Sequence, residues 1–546
     1  MFRIRKIKRP SIKSAWLIAL LSAYSALALN TAFWKFMAAR APMEGAGGAL
    51  FFLGVPVILF ALGAVFFSLV VIPYLGKPAA VALLVVSAGA DYVMGRYGIS
   101  IDSDMIRNVF ETDLREASDF VTTGMFLHVL AFGIVPAALV AVAKIKYLPF
   151  LKELRRRAAI VLAALCAAAA LGMASYKEYA SFGRNDRGAR KLVVPFNFLY
   201  GTARYFQLEA QAKRRLEKLD EDARFVPFKD PYPTVIVLVL GETARAANFQ
   251  LNGYGRPTNP LLSKQDIMNF PNMLSCGTST AVSLPCMFSH LRRTWFNPAD
   301  AKFTENLIDL VRQGGYDIVW LDNNSGCKGV CDRVPTESML KNNNAKYCDG
   351  TYCMDEVLLD GFESRLAGVK RDTMIVMHMM GSHGPTYYRR YPDRFRKFVP
   401  TCDDADLGKC TRQEIINTYD NTILYTDFVL SSAIDSLKKF PRLESGLVYV
   451  SDHGESLGEN NIYLHGFPYA FAPKEQIHVP MLIYMSDNMK LYDHIDYECA
   501  KKEAAANTYT HDNLFHTVLG IAEIASDKYD PALDLLDPCR TEPLPR

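Results

Sequence analysis

Two hydrophobic patterns divide the chain. Up to about residue 180 the apolar residues come in long unbroken runs; beyond it they come in short β-branched runs separated by mixed segments. Ser14 to Trp34, Gly45 to Gly76 and Ala158 to Tyr176 carry no charge, and Phe120 to Ala143 holds only His128. A further run from Pro78 continues through Asp91 to about Met94. Crossing a hydrocarbon core takes roughly 20 apolar residues in a helix. The pattern therefore predicts five membrane spans, at about 14–34, 50–73, 78–95, 121–143 and 158–176, the third being short and acid-bearing. The first run is long and lacks a small-x-small cleavage site, so it reads as a retained helix, not a signal peptide.

From Pro233 onward, Thr234–Leu240, Tyr316–Leu321, Thr373–Met377, Leu447–Val450 and Met481–Tyr484 read as strands buried on both faces. Helical stretches such as Glu305–Gln313 and Glu414–Lys438 separate them. The alternation predicts an α/β domain with a mostly parallel sheet. The division expected is a transmembrane domain over 1–180, a polar connector with an interfacial helix over 181–232, and a soluble domain over 233–546. Phe196, Phe198, Tyr200, Tyr205 and Phe206 suit an interface or packing on the domain.

Charge sets the orientation. The net charge of +4 is small for this length and argues against a nucleic-acid partner. Arg3, Arg5, Lys6, Lys8, Arg9 and Lys13 precede the first run, and Lys144, Lys146, Lys152, Arg155, Arg156 and Arg157 lie between the fourth and fifth. Positive loops stay in the cytoplasm, so everything after the fifth span is expected outside, together with 96–119. Asn108, Thr112 and Glu116, four apart in that outer segment, are expected on one helix face. Spacing alone favours a solvated face; the alternative is a patch that meets a lipid head group.

The cysteines agree with this topology. Cys166 lies in the fifth span and reads as a small buried apolar residue. The other ten, Cys276, Cys286, Cys327, Cys331, Cys348, Cys353, Cys402, Cys410, Cys499 and Cys539, all follow it. Their even number outside the membrane suggests disulfides, neighbour pairing being the simplest arrangement. A zinc site on Cys327, Cys331, Cys348 and Cys353 is the rival reading and would need a reducing compartment.

In parallel sheets chemistry gathers at the carboxyl ends of strands. Glu242 follows the first predicted strand, His378 and His383 follow another, and Asp452, His453 and Glu455 follow a third, with His465 farther on. Carboxylates and imidazoles converging there suit zinc. Between Cys276 and Cys286 lie Thr278, Ser279, Thr280 and Ser283, any of which offers a hydroxyl nucleophile.

The stretches GETARAANFQLNGYGRPTNP, SCGTSTAVSLPCMFS, GSHGPTYYRRYP and YVSDHGESLGENNIYLHG resemble the lipid A phosphoethanolamine transferases, the EptA-type family that includes the mobile colistin resistance enzymes. The resemblance covers nearly the whole chain. It implies a soluble domain of the alkaline phosphatase and sulfatase superfamily, periplasmic, behind five inner-membrane helices of a Gram-negative bacterium. It implies transfer of phosphoethanolamine from phosphatidylethanolamine to lipid A, conferring polymyxin resistance. Thr280 matches the threonine that becomes phosphorylated; Glu242, Thr280, Asp452 and His453 match the primary zinc ligands. His383 and His465 match histidines that bind the substrate phosphate or a second zinc. Asn324 and Lys328 resemble residues near the phosphoethanolamine, and Asn108, Thr112 and Glu116 fall where the family faces the donor head group. One tightly bound zinc, membrane lipids as surroundings and a monomer are the corresponding expectations. The same chemistry on a core sugar, a periplasmic glucan or a protein, or a membrane-anchored sulfatase- or phosphatase-like hydrolase, are the alternatives.

Overall fold

The structure, a computed structural model, describes residues 9–40, 45–112, 114–212, 215–226, 231–342 and 344–544. Arg3, Arg5, Lys6 and Lys8 of the N-terminal basic cluster lie outside the described residues. The chain forms two compact units, residues 1–106 with 121–204, and residues 107–120 with 205–546.

In the first unit, the first apolar run is not one helix. It is α1 (Ser14–Ala28) and α2 (Thr31–Arg40), bent by 54°. Two side chains take up the backbone groups that the break exposes. Asn30 Nδ2 donates to Ser25 O at 2.6 Å, and Asp91 accepts the Thr31 N–H at 2.7 Å and the Thr31 hydroxyl at 2.9 Å. The acid that counted against the third span thus caps the second half of the first. Three further long helices follow: α3 (Gly45–Val70), α4 (Gly76–Tyr97) and, past the outer segment α5 (Ser103–Glu111) and α6 (Leu114–Asp119), α7 (Thr123–Val142). The last of the long helices is α8 (Phe150–Ala174). Four of these are long and apolar enough to cross a membrane, or five if the bent pair α1–α2 counts as one span.

Small residues set the packing of the long helices. An added Cβ at Gly63 of α3 would stand 3.1 Å from Ser22 of α1, and one at Gly133 of α7 would stand 3.0 Å from Ala88 of α4. In α7, Pro136 has no N–H to offer Phe132, whose carbonyl accepts the Tyr24 hydroxyl at 2.8 Å instead. The turn Val129–Ile134 just before it is π-helical. Of the basic residues before the fifth run, Lys152, Arg155, Arg156 and Arg157 belong to α8, where Arg157 donates to the Ser68 and Val71 carbonyls at the end of α3, each at 2.6 Å. Cys166 corrects one expectation: it is exposed, because the uncharged stretch of α8 after Arg157 gives no signal of which face packs inward.

The second unit is built on an eight-stranded sheet. Its strands are β1 (Thr234–Gly241), β2 (Met268–Leu274), β3 (Asp317–Asp322), β4 (Thr336–Ser338), β5 (Thr373–His378), β6 (Glu444–Ser451), β7 (His478–Met485) and β8 (Tyr509–Thr510). Their spatial order is β8-β2-β7-β6-β1-β5-β3-β4. From β6 to β4 all pairings are parallel; β7 runs antiparallel to both β6 and β2. Strand β2 escapes the sequence pattern because Pro271 and two asparagines interrupt it. Every residue of β1 and β6 is buried, and their register pairs Gly241 with Ser451. That register brings Glu242 beside Asp452.

All five neighbour disulfides are present, Cys276–Cys286, Cys327–Cys331, Cys348–Cys353, Cys402–Cys410 and Cys499–Cys539. The rival cysteine zinc site therefore does not exist. The outer segment departs from expectation as well. Helix α5 stops at Glu111 and α6 starts at Leu114, so Asn108, Thr112 and Glu116 do not share one helix face. The Thr112 hydroxyl donates back to Asn108 O at 2.5 Å where the helix ends.

Candidate active site

Helix α9 (Thr280–Met287) follows the loop pinned by Cys276–Cys286, and Thr280 is its first residue, behind Ser279 in extended conformation. The first N–H groups of a helix have no intrahelical acceptor and favour an anion. Three of the four candidate hydroxyls are now placed by their partners. Thr278 Oγ1 donates to Phe467 O at 2.6 Å, and Ser283 Oγ donates to the carbonyl of Asp452. Of these three, only Thr280 Oγ1 meets the strand-end side chains: it lies 3.0 Å from Glu242 Oε2, 3.2 Å from Glu242 Oε1 and 3.3 Å from His453 Nε2. His453 Nε2 is in turn 3.4 Å from Glu242 and 3.5 Å from Asp452 Oδ2.

One ligand atom from each of Glu242, Asp452 and His453 lies within 4.8 Å of the others, and all three side chains are buried. Asp452 Oδ1 accepts the N–H groups of Thr243 at 3.2 Å and His453 at 2.7 Å, while Oδ2 is buried with no hydrogen-bond partner. An orphaned carboxylate oxygen beside a second carboxylate and an imidazole is a donor set that a zinc-like cation completes. The charges say the same. Burial and the Glu242 charge push Asp452 up to about 7. Burial opposes a charged His453, yet Asp452 and Glu242 lift it to about 10. Burial works to raise Glu242, but the hydrogen bond and charge of His453, with His383 and His465, hold it well below the usual carboxylate range. Positive charge is in demand at the point where the three converge.

Around this centre, Asn324 Nδ2 donates to Glu242 Oε2 at 3.0 Å and to Met379 O at 2.8 Å, fixing the carboxylate. The His383 and His465 rings lie 5.4 Å apart, and His453 and His465 are 4.5 Å apart. Burial lowers both, His465 to about 3 with help from the His453 charge. Glu116, buried within the same unit, is close enough for its charge to act on both rings. Lys328 does not reach the carboxylates; its ammonium donates to Glu111 O at 3.0 Å and to Ser325 Oγ at 3.1 Å. His378 is also apart from the site, paired with Asp322 at 2.8 Å beneath the sheet edge.

Residues 59–210 match the model described as phosphoethanolamine transferase EptA/EptB, and residues 234–524 match the sulfatase model. Phosphoethanolamine transferase EptA of Escherichia coli strain K12 is 40% identical over 98% of this chain and 99% of its own length. The chain belongs to the EptA family of phosphoethanolamine transferases. Phosphatidylethanolamine transferase Mcr-2 of Escherichia coli is 36% identical over 95% of this chain and 97% of its own. The integral membrane lipooligosaccharide phosphoethanolamine transferase A from Neisseria meningitidis superposes with a TM-score of 0.95 at 40% identity, over 98% of this chain and 100% of that one.

The transferase site holds groups to which sequence reading assigned no role. Glu455 Oε2 and His465 Nδ1 share a hydrogen bond at 2.9 Å, and the other Glu455 oxygen accepts from Tyr387 Oη at 2.5 Å. Burial pushes Glu455 up to about 8. Its signal was its place beside Asp452 and His453, but its partner lies ten residues on, across the β-bridged loop. His511 accepts the Cys276 N–H at 3.1 Å and bonds Ser451 O at 3.0 Å, tying the nucleophile loop to β6; nothing around it in sequence marks it.

Proposed function

We propose that the chain moves phosphoethanolamine from phosphatidylethanolamine to a phosphate of lipid A, with Thr280 carrying the group in between. The observation that supports this most is the position of the Thr280 hydroxyl, within 3.3 Å of both Glu242 and His453 at the opening of a helix. Glu242, Asp452, His453 and Thr280 would hold zinc, which when bound lowers the pKa of a coordinated hydroxyl and screens phosphoryl charge. In the first step Thr280 Oγ1 gives up its proton and bonds to phosphorus, and the bond to the diacylglycerol oxygen breaks. Diacylglycerol leaves as the alcohol after gaining a proton. In the second step a lipid A phosphate oxygen bonds to phosphorus, the bond to Thr280 Oγ1 breaks, and the hydroxyl is restored.

The first N–H groups of α9 favour the phosphoryl oxygens. Glu455 fixes one ring nitrogen of His465 and leaves the other to move a proton at the reacting oxygens. His383 offers a second ring, its Nδ1 buried without a partner. Asn324 keeps Glu242 aimed at Thr280. Asn108, Thr112 and Glu116 would receive the donor head group, with the Glu116 carboxylate toward the ammonium and Lys328 beside the segment that carries them. The enzyme acts from the inner membrane with its second unit in the periplasm, as a monomer. The lipid A acceptor is supported by the lipooligosaccharide activity in the name of the Neisseria meningitidis relative. The product gains an amine, so cationic polymyxin is attracted less.

Intact-mass analysis of the enzyme given donor alone should show one added phosphoethanolamine, mapped to Thr280. Thr280→Ala should abolish it, and with it the modified lipid A seen by mass spectrometry of expressing cells. Transfer at the normal rate by the Ala variant, or a group carried elsewhere, ends the assignment.

A further inference from the structure

The segment 107–120 belongs to the same compact unit as the catalytic sheet, and two of its fastenings there flank Glu116. At the first, Lys302 pairs with Glu111 Oε1 at 3.1 Å and Lys328 donates to Glu111 O at 3.0 Å. At the second, Asp119 closes a buried cluster. Its Oδ2 accepts from Thr386 Oγ1 at 2.7 Å, from Tyr352 Oη at 3.0 Å and from Arg390 Nη2 at 3.0 Å. Arg389 stands 3.7 Å from the other oxygen.

Arg390 is 3% exposed and does more than neutralise Asp119. Its Nε donates to His383 O at 2.8 Å, Nη2 also donates to Thr386 Oγ1 at 3.0 Å, and the guanidinium lies 4.4 Å over the Tyr352 ring. A single side chain thus spans from Asp119 to the backbone of His383. Burying such a pair costs desolvation that its attraction barely offsets, so it is a poor device for stability alone and a good one for fixing a distance. Glu116 lies between the two fastenings, one turn before Asp119.

We infer that Asp119 and Arg390 are positioning residues for the donor lipid: they hold Glu116 and His383 at a set separation, so that the ammonium and the phosphate of one head group are met together. This rests on reading Glu116 as the partner of the ethanolamine ammonium. The pair touches none of Glu242, Thr280, Asp452 and His453, and it meets His383 only at its backbone carbonyl, so its effect should fall on donor binding.

The test uses the full-length enzyme in nanodiscs with a fluorescent phosphatidylethanolamine donor. Asp119→Asn should raise the donor KM by roughly 10-fold while kcat, zinc content and thermal midpoint stay near wild type. Thr386→Val, a milder change that removes one donor to Asp119, should raise KM by about 2- to 3-fold. Glu116→Gln should raise KM by itself, and the double variant Asp119→Asn with Glu116→Gln should be no worse than Glu116→Gln alone, since both act through one contact. An unchanged KM in both Asp119→Asn and Thr386→Val overturns the proposal. So does a loss of kcat and zinc matching the change in KM, or additive behaviour in the double variant. If Glu116→Gln leaves donor KM unchanged, the head-group reading beneath the proposal has failed, and that result is distinct from a failure of Asp119 alone.

Discussion

At the scale of single residues, the site is a contest between protons and a cation for the same atoms. Asp452, pushed up to about 7 by burial and by Glu242, and His453, lifted to about 10 by the two carboxylates, both bind protons more tightly than usual when no metal is present. Zinc takes the carboxylate and the neutral imidazole, so it must displace those protons. Of Asp452 and His453, only His453 is protonated between about pH 7 and 10 in the metal-free protein, so the two together release one proton per zinc there; below about pH 7 Asp452 is protonated too and their number rises toward two. Zinc affinity should therefore fall as pH falls, by about 10-fold per unit above neutrality and by up to about 100-fold per unit below it. Calorimetry in buffers of different ionisation enthalpy reads the proton count directly; a count near zero at pH 6 would contradict the arrangement.

At the scale of elements, the bend between α1 and α2 shows how one acid serves two helices. Acids within membrane helices are expensive and are kept where they have a partner. Asp91 of α4 is fully buried and takes the N–H and hydroxyl of Thr31, the first residue of α2. It acts as that helix's N-terminal acceptor from another chain segment. Asp91→Leu would leave the Thr31 N–H orphaned in an apolar interior and should cost about 1–3 kcal/mol. Asp91→Asn keeps an oxygen acceptor and should cost clearly less. Thermal melting of the two purified variants in detergent separates the cases, and equal losses would refute a capping role.

At the scale of the whole molecule, the number of crossings decides on which side the catalytic unit sits. If the bent pair crosses once, five spans place residues after α8 opposite the N-terminus; if it re-enters, four spans leave both on one side. Five disulfides in that unit require an oxidising compartment, and the basic residues of α8 favour the cytoplasm for its start. Both are met by five crossings. A C-terminal green fluorescent protein fusion should accordingly be dark and a C-terminal alkaline phosphatase fusion active; the reverse pattern would mean four.

The strands β1, β5 and β6 were legible because a strand buried on both faces must be apolar throughout, and the polar groups after them stand out against that background. Glu242, Asp452 and His453 were visible for this reason, and the disulfides because pairing each cysteine with its neighbour is the simplest arrangement, which holds even for Cys499 and Cys539, 40 positions apart. Local pattern carried no record of partners that meet only after folding. Which hydroxyl of Thr278, Ser279, Thr280 and Ser283 faces the carboxylates depends on where α9 begins and on where Phe467 and Asp452 offer carbonyls. The break after Ala28 depends on Asp91, the end of α5 undoes a regular four-residue spacing, and Asp119 finds Arg390 across 271 positions. Periodicity reports burial, a property each residue has alone; hydrogen-bond partnership belongs to pairs, and chain closure in three dimensions creates those pairs.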